Sequence, residues 1–526
     1  MANYVDPSSY SGAFKKEQLS FVQQNASLHD SKFETKPISY LRGCWNRFKK
    51  NKGAIVAGII LLMIVAFAII APATSSRSTS WYDPQYASVL PKIKGASGFW
   101  DGTKKDTISE SDFYFQNYYD SEKSPIAEVI EKTTTRNRVM RRDITTYTVR
   151  IDTYAIGAKE IKVDPEEFER IVKWEEQTGR TIRLGMVSYQ DYVNQYFADL
   201  IASDPETYNE TNTQQWKNTM NNRYAQNSNI FYKIEQASDG TKLISSLKPV
   251  IVDDNIVDLY ERDTNGNIIT EKTSGGQYVL RADYNVYYEF LYGEECYYVF
   301  GANSQGYDIF VRLASGARLS LILGVSVSAI NLIIGLIWGS ITGYYGGTVD
   351  LVMERITDIL SSIPFVILAT LFQLHLKDKV GPIISLLFAF VVTGWIGVAS
   401  TTRMQFYRFK NQEYVLASRT LGAKDLRLIF VDILPNALGT LVTSTVLMIP
   451  SVIFSESSLS YLNIVNLQTS NITSVGTLLN EGSTFLSSYP HMIMFPALFI
   501  SLLMISFNLI GNGLRDAFNP TLRGSE

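Results

Sequence analysis

The feature that most limits how this chain can fold is the placement of its charge-free apolar runs. Ala54–Ala71 and stretches after Leu319 carry no Asp, Glu, Lys or Arg over lengths that match a bilayer. A helix needs about 20 apolar residues to cross the hydrocarbon core, and soluble core helices rarely keep that length without a charge. Residues 73–300, between these runs, are polar. The mean hydropathy near zero is therefore an average over two unlike parts. The expected fold is mainly α, a polytopic membrane protein with six transmembrane helices, plus an α+β extracellular domain inserted between helices 1 and 2.

The six expected spans are about Ala54–Ala71, Leu319–Tyr344, Ile356–Leu374, Pro382–Thr402, Ile433–Phe454 and Tyr489–Ile510. Cationic residues in short loops fix orientation. Arg42, Arg47, Lys49, Lys50 and Lys52 precede the first run. Arg403, Arg408, Lys410, Arg419, Lys424 and Arg427 lie between the fourth and fifth, and Arg515 and Arg523 follow the sixth. All three sets fall on one side, taken as cytoplasmic, so both termini are expected there in the cell membrane. The expected division is a cytoplasmic segment 1–53 with a basic end, a first helix 54–72, an extracellular insert 73–300, and a core 301–526 containing the loop 403–435. Residues 1–40 are polar, so the start does not read as a cleaved signal peptide.

Several chemistries are not expected. Cys44 and Cys296 fall on opposite sides of the membrane and form no disulfide framework. His29, His375 and His491 have no metal-ligand spacing. Neither a phosphate-binding G-x-x-x-x-G-K-[ST] loop nor G-x-S-x-G nor H-E-x-x-H occurs. The chain is thus read as not an enzyme, with no catalytic residue, cofactor, metal or nucleic-acid partner.

In the insert, Asp164-Pro165 reads as an N-cap followed by proline in the first helical turn. Thr145–Ile151 and Leu243–Val252 read as strands, and Asn265-Gly266 as a hairpin turn. Tyr114, Tyr118, Tyr119, Tyr278, Tyr284, Tyr287, Tyr288, Tyr292, Tyr297 and Tyr298 are dense here. They suit either a contact surface or an ordinary core with strand-forming rings.

The loop 403–435 contains EYVLASRTLGAKDLRLIFVDILPN, Glu413–Asn436. Tyr414, Ala417 and Leu421 recur at helical spacing, as do Leu426, Ile429, Phe430 and Ile433. This predicts two short amphipathic helices meeting at Gly422, where glycine permits a tight turn, with Pro435 marking a change of direction. Small Ala417 and Ser418 leave room for another surface.

The pattern A-S-x-x-x-G followed by I-L-P resembles the loop of ABC importer permeases that forms a coupling helix seated in a cytoplasmic ATPase. Further motifs resemble the oligopeptide and dipeptide permeases, closest to their C-type partner. These are Phe300-Gly301-Ala302-Asn303, Gly306-Tyr307-Asp308, Gly316-Ala317-Arg318-Leu319-Ser320, Gly343-Tyr344-Tyr345-Gly346-Gly347 with Asp350, Glu456 with Leu459-Ser460-Tyr461-Leu462, and Gly513-Leu514-Arg515-Asp516 with Pro520. Asn303, Tyr307, Ser418 and Asn512 depart from the usual residues of that family.

The resemblance implies a type I ABC importer permease fold and an ATP-driven uptake system. Implied partners are a second homologous permease in a heterodimer, two cytoplasmic ATPases, an extracellular substrate-binding lipoprotein, a peptide substrate and the lipid bilayer. Tyr414, Ala417, Ser418, Leu421, Gly422, Ala423 and Lys424 would contact the ATPase. Thr440, Thr443, Ser444 and Ser451 on the fifth span, with Pro450 as a kink, are pore-lining candidates, although such hydroxyls also join helices. Glu354, Arg355 and Asp358 read as a salt-bridge group, and Glu456 as lying near the outer surface. Alternatives are import of nickel or another small solute by the same family, or a membrane-anchored receptor working through the insert.

Overall fold

The computed structural model of the chain describes residues 40–110, 112–113, 124–137, 142–184, 275–467 and 473–518, with residues 198, 201–202 and 205 and short strands between 234 and 272. Helix α1 (Tyr40–Phe48) is followed by α2 (Lys52–Thr74), the first apolar run. Asn51 accepts a hydrogen bond from the Ala54 amide, which satisfies one of the donors left free at a helix start.

The insert follows. Strands β1 (Thr103–Ser109), β2 (Ile126–Asn137) and β3 (Arg142–Asp152) form an antiparallel sheet in the order β1-β3-β2. Strand β4 (Ala158–Val163) precedes α3 (Pro165–Thr178), and β5 (Arg183–Leu184) follows it. The expected cap is present: the Asp164 carboxylate accepts from the Glu167 amide, and Gly179 closes the helix at φ 68°. Short pairs β6 (Ile234–Gln236) with β7 (Lys242–Ile244), and β8 (Val250–Val252) with β9 (Asn255–Val257), stand alone. Strands β10 (Tyr260–Arg262), β11 (Ile268–Lys272) and β12 (Tyr278–Asp283) join β4 in a second sheet, ordered β10-β11-β12-β4, with β5 also on β12. Helix α4 (Tyr284–Tyr292) completes the α+β set. The Leu243–Val252 strand is thus seen only at its two ends, and Asn265-Gly266, Tyr114, Tyr118 and Tyr119 lie outside the described residues.

The tyrosines settle mainly as core. Tyr86, Tyr154, Tyr288 and Tyr298 are buried together around Val89 and Cys296, with Tyr284 and Tyr297 against them. Tyr278 and Tyr287 pack on a second cluster built on Val163, Ile171 and Leu280. Tyr292 stays exposed. Tyrosine density therefore gives no support to a contact surface in the described part. Cys44 and Cys296 are both buried and free. Burial pushes the Cys296 thiol up to about 12, so it stays protonated at neutral pH.

The insert is bound at its root by its own ends. Ser88 donates to the Asn303 carbonyl at 2.8 Å, Ala302 to Val89 at 3.0 Å and Lys92 to Tyr298 at 2.9 Å. Arg77 donates to the Tyr297 carbonyl at 2.9 Å and pairs with Asp308 at 3.3 Å. Phe300 stacks on Phe495 at 4.0 Å, and Phe99 meets the same ring.

Asp308 caps α5 (Ile309–Tyr345). At 1.5 Å per residue this helix is about 55 Å long, so its two ends lie a membrane thickness apart. It starts ten residues before the expected second span, because a charge-free window sees the hydrocarbon part and misses the turns carrying Arg312 and Arg318. Next come α6 (Gly347–Ser361) and α7 (Phe365–Val380), bent 73° to one another. The expected third span, Ile356–Leu374, is therefore not one straight helix. Pro364 lacks an amide donor and disfavours helix in the residue before it.

Helices α8 (Pro382–Gly394) and α9 (Ile396–Phe409) are interrupted only at Trp395. Then come α10 (Glu413–Thr420), α11 (Asp425–Tyr461), α12 (Val475–Thr484) and α13 (His491–Phe518). Among the described residues, five helices are long and apolar enough to cross a membrane, and six if the bent α6–α7 pair counts as one. Ile64, Leu313, Ala317, Ile453, Phe499 and Leu503 form a core joining α2, α5, α11 and α13. Leu323, Ala369, Leu386, Phe390 and Val452 form a second core. Helices α5 and α9 meet closely along Gly335, Gly339 and Gly343, where an added Cβ would lie 2.6 Å from Val398, 2.3 Å from the Ala399 carbonyl and 2.6 Å from Phe406. Small residues let membrane helices approach in this way.

Candidate functional site

The Glu413–Asn436 stretch sits at the end of the molecule reached by Tyr344 and Tyr345, at the far end of α5 from the insert. Helix α10 ends at Leu421, whose amide donates to Ala417. Gly422 adopts φ +85°, and the Ala423 amide returns to the Ser418 carbonyl at 3.1 Å. The turn is thus a left-handed cap of the kind glycine favours. The expected second short helix is not separate. The chain restarts at Asp425, passes a π-helical turn at Leu428–Ile433 and continues unbroken into the membrane helix α11. Pro435 follows the π-helical turn directly and does not end or redirect the helix, which continues through it.

The buried face is carried by Val415, Leu428, Ile429 and Ile433, packed on Phe406 and Tyr344. The periodic residues Leu421 and Leu426 point the other way and are 88% and 68% exposed. Tyr414, Leu416 and Phe430 are also exposed. Ala417, Gly422 and Lys424 are exposed, and Ser418 and Ala423 half-buried. The seven candidate contact residues therefore lie together around one turn, with an apolar outer rim that is exposed among the described residues.

The turn is tied to the helices above it. The Tyr344 hydroxyl donates to Asp425 at 2.6 Å, and Asn436 donates to the Tyr414 hydroxyl at 3.2 Å. Arg403 on α9 makes a bidentate pair with Asp350 on α6, both contacts 2.6 Å, and Tyr407 donates to the same carboxylate at 2.6 Å. Glu354 lies 3.7 Å from Arg403. Arg355 and Asp358 do pair, at 3.0 Å, but on the exposed surface. The structural ion pair of this region is thus Asp350–Arg403, a bidentate geometry that charge spacing along one helix does not reveal.

The pore candidates separate. Thr443 is buried and its hydroxyl donates to the Gly439 carbonyl within its own helix. Thr440 and Ser451 are exposed and Ser444 is half-buried. With 3.6 residues per turn, these three lie within roughly 40° of one another on α11. Thr440, Thr443 and Ser444 all line a cleft of about 380 Å3, together with Thr401, Arg408, Gly439, Arg515 and Phe518. Pro450 lies inside α11 and is buried.

At the insert end, Glu456 is fully buried rather than near a surface. Its carboxylate accepts from Ser320 at 2.8 Å, Ser460 at 3.1 Å and Ser457 at 3.3 Å. The sequence showed an acid at the end of an apolar run, and the hydroxyl from α5 is a tertiary contact with no local signal. Asn303 donates to Glu481 at 3.0 Å. An aspartate at position 303 would set two carboxylates against each other, so asparagine suits this partner. Asp83, at the insert root, accepts from the Tyr284 hydroxyl at 2.8 Å, and burial holds its carboxyl above the usual range.

Two segments of the chain match known families. Residues 335–524 match the family of binding-protein-dependent transport system inner membrane components, and residues 39–90 match the N-terminal transmembrane domain of oligopeptide transport permease C. The oligopeptide transport system permease protein OppC of Bacillus subtilis is 44% identical over 43% of this chain and 72% of its own length. The dipeptide transport system permease protein DppC of the same organism is 42% identical over 43% of this chain and 69% of its own. The OppC protein of Escherichia coli is 36% identical over 42% of this chain and 72% of its own. Residues 91–334 lie between the two matched segments.

Proposed function

Because the chain belongs to the binding-protein-dependent permeases of ABC importers, in the oligopeptide and dipeptide branch, we propose that it forms half of the membrane path of an ATP-driven peptide importer. What carries this reading is its similarity to oligopeptide and dipeptide permeases across 72% and 69% of their lengths. In this reading a second, homologous permease supplies the other half. Two ATPases act from the side of the Glu413–Asn436 turn, and a lipoprotein delivers peptide to the side of the insert. The termini are cytoplasmic and residues 73–300 extracellular.

The mechanism follows from what the turn is attached to. An ATPase that covers Tyr414, Ala417, Ser418, Leu421, Gly422, Ala423 and Lys424 buries the apolar rim around Leu421 and Leu426. Movement of that contact is passed to α11 directly, because α11 is continuous with the turn. It is passed to α9 and α5 through Val415, Phe406 and Tyr344, and to α6 through Asp350–Arg403. Packed interfaces of this kind shift between discrete arrangements, which suits alternating access. Thr440, Ser444 and Ser451 give α11 one exposed polar face, and we place the path along it.

The direct test is reconstitution of the chain with its partner permease, ATPases and binding protein in proteoliposomes with ATP inside. ATP-dependent accumulation of a labelled tripeptide is the expected result. Accumulation of nickel without peptide, or no ATP-dependent uptake by a fully assembled complex, would overturn it.

A further inference from the structure

The cleft beside α11 holds two cations that no carboxylate among the described residues pairs with. Arg408 ends α9 and Arg515 lies in the last turn of α13, and both line the same cleft of about 380 Å3. Among the described residues neither has a carboxylate within ion-pair distance, although both side chains are exposed. Two other cations near the end of α9 do have partners. Arg403 is held by Asp350 and Glu354, and Lys410 donates to the Gly343 carbonyl at 2.9 Å. The Arg408 guanidinium has a ring contact, 5.5 Å above Phe409, which leaves its donors free of a carboxylate.

The hydroxyls around the pair are not equivalent. Thr401, Thr443 and Ser444 donate to carbonyls of their own helices, so they offer lone pairs rather than protons. The hydrogen-bond donors facing the cleft are therefore the two guanidiniums and the exposed Thr440 hydroxyl. Like charges that share a space between membrane helices repel, and an oxyanion between them removes that repulsion. A guanidinium prefers a planar oxyanion that accepts two parallel bonds. The cleft lies at the Arg-rich end of the polar face carrying Thr440, Ser444 and Ser451, which points to an oxyanion that arrives along that face.

We propose that Arg408 and Arg515 form an exit subsite that holds the C-terminal carboxylate of a peptide leaving the path. This rests on the peptide-importer reading and extends it. The carboxylate is the one anion present on every unblocked peptide, so the subsite accepts any sequence. The two arginines are positioning residues and no covalent step is involved. A peptide with its ammonium group alone, its other end amidated, gains nothing from the pair and is repelled by it.

The test uses the reconstituted importer with labelled peptide and binding protein outside and ATP inside. The vesicle lumen is loaded with unlabelled trialanine or with trialanine amide. The expected result is that trialanine inhibits ATP-driven uptake at a concentration about tenfold below the amide, the factor that one charge-assisted pair supplies. Arg408→Gln with Arg515→Gln should remove the difference, and Arg408→Lys with Arg515→Lys should restore part of it. Equal inhibition by the two peptides in the wild type, a difference that survives the double glutamine variant, or no inhibition by either peptide would each overturn the subsite. Absence of any ATP-driven peptide uptake in the wild type would instead strike the importer reading itself.

Discussion

At the scale of single residues, Gly422 is the position where shape and site coincide. Its φ of +85° is costly for residues with a β-carbon, yet nothing among the described residues lies within 4 Å of where that carbon would be. A substitution there disturbs the turn through its backbone angle and leaves internal packing intact. Strain of this kind is of order 1–3 kcal/mol. Gly422→Val should therefore reach the membrane at normal levels but lose uptake while the ATPases still hydrolyse ATP, and Gly422→Asn, which tolerates the left-handed region, should keep most of the coupling. Uptake by the valine variant equal to wild type would remove the turn from the mechanism. Glu456 makes the opposite kind of prediction. Glu456→Leu deprives Ser320, Ser457 and Ser460 of a buried acceptor, at a cost of roughly 1–3 kcal/mol. Its thermal midpoint in detergent should fall, and Glu456→Gln, which keeps one acceptor oxygen, should fall less.

Among the elements, the contact between α5 and α9 carries the most exact fit. An added Cβ at Gly339 would sit 2.3 Å from the Ala399 carbonyl, a backbone atom. Gly339→Leu should push α9 away from α5, at about 1–3 kcal/mol or more for overpacking. It should lower the level of assembled complex in a pull-down through the partner permease. Trimming the neighbour by Thr402→Ala should not restore it, since the obstacle is main chain. Rescue by that change would show the contact to be a side-chain matter.

These elements also show what the sequence could reveal. The apolar runs located α2, α5, α11 and α13, because hydrocarbon burial has a direct compositional signature. The run around Ile356–Leu374 hid a break, because Pro364 is itself compatible with an apolar run. The Glu413–Asn436 stretch was legible as a glycine-turned helical pattern. Its buried face was not, since periodicity marks apolar residues without saying what covers them. Val415 is covered by the chain's own Phe406, whereas Leu421 is exposed. Arg408 and Arg515 are far apart in sequence, and only the packing of α9, α11 and α13 brings them to one cleft.

At the scale of the whole molecule, the insert and the α10–α11 turn occupy opposite ends of one helix, α5. The root of the insert, from Arg77 to Trp100 and from Tyr284 to Asp308, is built into the membrane part through Phe300, Phe495 and the paired ends of the domain. The three-stranded sheet beyond that root is a separable layer. Thr103 and Asp152 are direct cross-strand partners, so residues 104–151 can be replaced by Asn-Gly, a pair suited to a two-residue hairpin, without opening the root. Strand β2 is exposed from residue 127 to 136, with Val129 and Ile130 open to solvent, and its outer edge, which pairs with no strand among the described residues, is a surface that other chains can join. If this sheet guides the binding protein onto the importer, the shortened chain should assemble with its ATPases and keep its basal ATP hydrolysis. Its uptake should then need a several-fold higher concentration of binding protein to reach half-maximum, with the maximal rate unchanged. A binding-protein titration that superimposes on the wild type would show that the sheet takes no part in delivery. A loss of assembly would show that it braces the partner permease instead.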